Sequence, residues 1–92
     1  MEQQINLHSM KTADNKTQFT DGIITIVIDD CEYLDGKHHI NNPKTAAAYF
    51  CCCGEQFAIN NDENIANVED WYMTELLPKF QMLSLLRSPM LL

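Results

Sequence analysis

The sequence predicts an α+β fold. A small antiparallel sheet of three to four strands comes from the N-terminal half and packs against two to three helices from the C-terminal half. Three observations carry this expectation. Ile23-Ile24-Thr25-Ile26-Val27-Ile28 is β-branched at every position, which costs χ1 freedom in a helix and suits a strand. Asp35-Gly36 sits between two short runs, the signal of a tight I′-type hairpin turn. Beyond residue 62, Ile65, Val68, Tyr72 and Leu76 recur at helical spacing. A chain of 92 residues fits one domain, 1–92.

The elements follow in order. Ile5 to Met10 alternates apolar and polar, the period of a half-buried strand. Thr12 to Lys16 carries turn chemistry through Asp14 and Asn15. Thr17 to Thr20 continues the pairing, and Asp21-Gly22 marks a second turn. The 23–28 run then reads as a central strand. Cys31 to Leu34 and Lys37 to Ile40 form the hairpin. Asn42 is a candidate helix cap with Pro43 at the first helical position, and Lys44 to Cys53 reads as a buried helix that Gly54 stops. Gln56 to Ile59 fits a strand or a connector. Asn60 with Glu63 resembles a capping box for a helix over 62–77. Pro78 is expected to kink or split that helix, and Phe80, Leu83 and Leu86 extend its apolar stripe.

Charge narrows the function classes. Six Lys and Arg face thirteen Asp and Glu, for a formal net charge of −7. Gripping nucleic acid by its phosphates requires clustered bases, so strong direct DNA binding is not expected. No stretch reaches the roughly 18 apolar residues of a membrane span. Met1-Glu2-Gln3-Gln4 lacks the basic start and apolar block of an export signal. The expected setting is a cytoplasm, with no membrane partner.

The cysteines are Cys31 and the consecutive Cys51, Cys52 and Cys53. Adjacent cysteines without an export signal read as reduced thiols, here small core residues, and not as a disulfide framework. Zinc sites favour C-x₂₋₄-C or H-x₃₋₅-H spacing, which this chain lacks. A thiol or metal domain built from Cys31, His38, His39 and one of the three adjacent cysteines is nevertheless the alternative reading. Nucleophilic catalysis needs a base and an orienting third group, and the sequence displays no such third group. Ser9, Ser84 and Ser88 sit in no G-x-S-x-G setting. Asn60, Asp62 and Asn64 hint at a calcium loop, but Ile65 and Trp71 occupy the positions for its Gly and terminal Glu. No cofactor, metal or enzymatic activity is expected.

The segregated acid remains. Segment 21–35 holds five acidic residues and segment 55–75 holds six, so eleven of the thirteen lie in two stretches without Lys or Arg. The candidate partner-binding residues are Asp29, Asp30, Glu32, Asp35, Asp62, Glu63, Glu69 and Asp70. Carboxylates fixed on a sheet edge and a helix face imitate a nucleic-acid backbone and compete for basic grooves. A solvated face that keeps a small protein soluble is the plainer reading of the same charge. Trp71, Tyr72 and Met73, with the tail Met90-Leu91-Leu92, are candidate anchors at an interface.

Three stretches carry a resemblance: Met1 to Met10, Asp29-Asp30-Cys31-Glu32-Tyr33-Leu34-Asp35, and the acidic helix around Asp70-Trp71-Tyr72. With its size and acidity, the whole chain resembles phage-encoded anti-CRISPR proteins, more narrowly the small inhibitors of type I surveillance complexes, those of type I-F among them. The resemblance implies a non-enzymatic, stoichiometric inhibitor in the host bacterial cytoplasm. Its partner would be the guide-RNA-loaded Cas complex, whose subunits carry basic DNA-binding surfaces, and it would block target DNA from binding or pairing. Contacts with the guide RNA would come from polar neighbours such as Lys37, His38 or Asn41. These inhibitors share no diagnostic motif, so the site residues rest on the charge argument alone.

Overall fold

The computed structural model describes residues 6–29 and 31–87. Among the described residues, seven strands precede one helical rod. Strands β1 (His8–Lys11), β2 (Lys16–Thr20), β3 (Thr25–Asp29), β6 (Ala47–Cys52) and β7 (Glu55–Asn60) form a five-stranded sheet in the order β1-β2-β3-β6-β7. Every pairing is antiparallel. Strands β4 (Glu32–Leu34) and β5 (Lys37–His39) form a separate two-stranded hairpin. The fold is α+β with the helix at the C-terminal end, as the sequence predicts, but the sheet has five strands and reaches Asn60, and one helical rod stands where two to three helices were expected. The start of the expected first strand, Ile5, lies outside the described residues.

Sheet and rod bury one face between them. Phe19 comes from β2, Ile26 and Ile28 from β3, Ala48 and Phe50 from β6, and Ile59 from β7. The alternation of β2 and β3 puts every second side chain inward. From the helical side come Val68, Trp71, Tyr72 and Leu76. Phe80 closes one end, its ring edge-on to Phe50 at 5.2 Å.

The largest departure from expectation is residues 44–53. They form no helix beyond a 3-10 turn at Pro43–Thr45, and Asn42 makes no side-chain cap bond. Ala47–Cys52 is instead strand β6, lodged between β3 and β7. Alanine is the best helix former, but propensity differs by only about 1 kcal/mol or less per ordinary residue, and ladder bonds on both sides outweigh it. The positive φ expected at Gly54 is present, at 83°, with Cys53 at 56°. These angles build a hairpin turn between β6 and β7 and not a helix stop. The ambiguous 56–59 stretch is strand. The thiols then alternate: Cys52 is buried, whereas Cys51 and Cys53 are exposed and are not core residues.

The helix also starts later than expected. Asn67 is its N-cap, with Oδ1 accepting from the Asp70 amide at 2.8 Å. Asp62 and Glu63 therefore lie in a loop and not in a first helical turn. From there α1 (Val68–Trp71), a π-helical stretch (Tyr72–Leu76) and α2 (Leu77–Arg87) follow without interruption. Pro78 neither splits nor ends the rod. A proline lacks an N–H, and its ring collides with the carbonyl four residues back, here that of Thr74. The wider π turn relieves that collision: the Leu77 amide reaches back five residues to the Tyr72 carbonyl. Two further expectations change with the packing. Trp71 and Tyr72 are core residues, not interface anchors, and Leu86 is exposed where the stripe was expected to continue.

Candidate acidic surface

Two turns and one capped helix set the positions of the acids. The β4–β5 turn uses Asp35 at φ 53° and Gly36 at φ 78°, the left-handed pair that a two-residue turn requires. Loop 61–67 is held from within by Asn61, which is buried. Its Oδ1 accepts from the Ile65 amide at 2.9 Å and its Nδ2 donates to the Ile65 carbonyl at 3.0 Å. Hairpin and loop are joined: the Ile40 amide donates to the Ala66 carbonyl at 2.7 Å, and His39 bridges to Asn67. The two acidic segments of the sequence are therefore neighbours in the fold.

The eight candidate acids divide into two groups. Asp29, at the end of β3, accepts from Lys16 Nζ at 3.0 Å and from the Thr45 hydroxyl at 3.0 Å. Those two donors hold its carboxyl below the usual range, and Asp29 in turn raises Lys16. Asp70 accepts from Asn67 Nδ2 at 3.0 Å and from Lys37 Nζ at 3.1 Å, which together lower its pKa. Glu69 is more deeply placed. It accepts from the His38 amide at 2.8 Å and faces His38 Nδ1 at 2.7 Å, with its side chain 16% exposed. A carboxylate only accepts, so Nδ1 carries the proton. Asp29, Glu69 and Asp70 thus serve internal architecture, and Lys37 and His38 are engaged by the same clamps.

Glu32, Asp35, Asp62 and Glu63 form the other group. All four are exposed, and none has a side-chain partner among the described residues. Asp30 lies outside the described residues. Asn41 is exposed beside the hairpin.

The charge argument gave no role to Asp21. Its carboxylate accepts from the amides of Ile23 at 2.8 Å and Ile24 at 2.7 Å, and from the Tyr72 hydroxyl at 2.6 Å. Burial pushes this carboxyl up, but the three donors outweigh it and its pKa falls below the usual value. Burial and the Asp21 charge push the Tyr72 phenol up to about 12. The sequence marks Asp21 as a turn residue, yet nothing in it announces a partner 51 positions away.

Of the residues in the alternative reading, Cys31 and His38 line one cleft, and the three adjacent cysteines do not reach it. Cys31 follows the end of β3, while Cys51, Cys52 and Cys53 lie beyond its start in the antiparallel register. Among the described residues, no three His, Cys, Asp or Glu side chains are grouped to hold a metal ion. No helix among them is long and apolar enough to cross a membrane. No family model, curated protein or solved structure matches this chain.

Proposed function

We propose that this chain is a non-enzymatic, stoichiometric inhibitor of a nucleic-acid-handling complex. Its partner is a guide-RNA-loaded Cas complex of type I, and target DNA is excluded because the chain's acids occupy a basic DNA-binding surface. The supporting observation is the junction of hairpin and loop. The Ile40–Ala66 bond and the His39–Asn67 bridge carry two separate acidic segments onto neighbouring elements. Four carboxylates of those two segments, Glu32, Asp35, Asp62 and Glu63, have no side-chain partner among the described residues. Unpaired charges on short turns and a closed loop lose little freedom on docking, which favours fast, electrostatically steered association.

The combined variant Glu32→Lys, Asp35→Asn, Asp62→Lys and Glu63→Lys tests this reading. Asparagine is used at position 35 because it tolerates the left-handed backbone. The variant should fold normally, since these side chains support nothing inside. Its affinity for the purified surveillance complex at low salt should fall by at least about tenfold, mostly through slower association. Unchanged affinity would remove the electrostatic reading. Reversing Asp29 is a poorer test, because it also breaks the contacts to Lys16 and Thr45.

A further inference from the structure

We propose that Cys52 and Cys53 form a two-thiol clamp for a trivalent arsenical carrying one organic group, a site independent of the acidic surface. The two Sγ atoms lie 3.7 Å apart. In a regular strand, neighbouring side chains point to opposite faces, which keeps adjacent thiols apart. Here β6 ends at Cys52, which pairs with Glu55 across the two-residue turn Cys53-Gly54. The left-handed backbone at Cys53, φ 56°, breaks the alternation, and its thiol meets that of Cys52.

The residue at this turn position points to the thiol itself. Two-residue hairpin turns of this kind favour Asn, Asp or Gly, which adopt positive φ at little cost. The other non-glycine residues with positive φ are Asn15, Asp35 and Asn64, all of that kind. Among the described residues, Cys53 is the exception. An asparagine would make the same turn more cheaply, so what the cysteine adds is a sulfur beside Cys52.

Geometry selects what the pair takes. A disulfide needs Cα atoms roughly 4.4–6.8 Å apart, whereas adjacent residues hold theirs at about 3.8 Å, so direct closure of the two sulfurs is strained. An atom inserted between the sulfurs widens the ring and relieves that strain. Thiolate bonds to a centre such as zinc are about 2.3 Å, and two of them at a tetrahedral angle span roughly 3.8 Å. The pair already stands at that separation. Zinc itself asks for four ligands, and among the described residues no three His, Cys, Asp or Glu side chains are grouped to supply them. An organic arsenical keeps its carbon substituent and asks the protein for two soft thiolates alone.

In water the ligand is a dihydroxyarsine. The exposed Cys53 thiol reacts first, and Cys52, buried beside it, closes the ring. Each thiol forms one S–As bond while one As–O bond breaks. The hydroxide leaves with the bonding pair and takes the thiol proton, so two waters are released. Arsenic stays trivalent and no oxidant is consumed.

Phenylarsine oxide is the probe, read by intact mass spectrometry of the native chain. One equivalent should be retained against an excess of 2-mercaptoethanol and released by dithiothreitol, which itself offers two thiols. Cys53→Asn preserves the turn and should weaken retention at least about a hundredfold, the loss expected when a second, tethered contact disappears. Cys52→Ala should do the same, and Cys51→Ser should leave retention unchanged. Full retention by Cys53→Asn, or loss of the arsenical from the unsubstituted chain to 2-mercaptoethanol, overturns the proposal even if Cys52→Ala fails to fold. Retention seen only after unfolding in urea also overturns it, because the buried Cys52 thiol would then be out of reach in the native chain.

Discussion

Replacing Asp21 by alanine lowers the free energy of unfolding by about 3–5 kcal/mol, the expected loss when three donors lose a charged acceptor. The amides of Ile23 and Ile24 and the hydroxyl of Tyr72 all converge on this carboxylate. Ile24 and Tyr72 are buried, so water replaces the lost acceptor poorly. The change also frees the β2–β3 turn from the helical rod. Asp21→Asn keeps an oxygen acceptor and should cost less than Asp21→Ala. Urea unfolding followed by circular dichroism checks both variants. A loss under about 1 kcal/mol for Asp21→Ala, the level of one ordinary hydrogen bond, contradicts the assignment.

The same pair gives stability a pH signature at both ends. Asp21 has a lowered pKa in the folded state, so its contribution is full above the unfolded value of about 3.9 and is lost as pH falls through the lower folded value. Tyr72 has a raised pKa. Its contribution is full below the unfolded value of about 10 and is lost as pH rises through about 12. Tyr72→Phe should remove the alkaline loss while retaining the ring packing. An alkaline transition unchanged in Tyr72→Phe assigns that loss elsewhere.

Trp71→Ala is expected to cost about 3–5 kcal/mol, the range for deleting a large aromatic from a packed core. Trp71 is fully buried, and its Nε1 donates to Glu75 Oε1 at 2.8 Å. Natural domains hold only about 5–15 kcal/mol in total, so this variant sits near the unfolding threshold. Leu85, 78% exposed on the far part of the rod, is the control. Leu85→Ala should change stability by no more than about 0.5 kcal/mol. A stable Trp71→Ala domain that has lost only partner binding would return Trp71 to the role of surface anchor.

The strands that show a pattern are the ones the sequence makes legible. β3 declares itself by a β-branched run and the Asp35-Gly36 turn by its backbone demand, and the alternation over Ile5 to Met10 marks β1 as a strand although its four residues are all exposed and not half-buried. β6 does not, because residues 46–53 are apolar at every position. The period of two survives there only as burial, which no residue type records. The helix start was missed because Asn60 and Asn67 are equivalent as local caps. The choice falls on Asn67 because the loop before it is closed by Asn61 and tied to the hairpin. Pro78 reads locally as a break, but a π turn absorbs it.

The candidate site was legible by composition and not by role. Charge counting treats Asp29, Glu69 and Glu32 alike. Their partners decide which carboxylates face solvent unpaired, and those partners come from distant segments. Lys16 lies 13 positions from Asp29, His38 lies 31 from Glu69, and Lys37 lies 33 from Asp70. No local pattern encodes such pairs.

Competition for the surveillance complex is the most direct measurement. Guide-loaded complex is mixed with labelled target DNA and rising amounts of this protein, and bound DNA is read by gel shift across a salt series. DNA should leave the complex as one equivalent of protein binds, with the displacement weakening as salt rises. A ternary species carrying both DNA and protein, or displacement indifferent to salt, contradicts the claim that these carboxylates stand in for a nucleic-acid backbone.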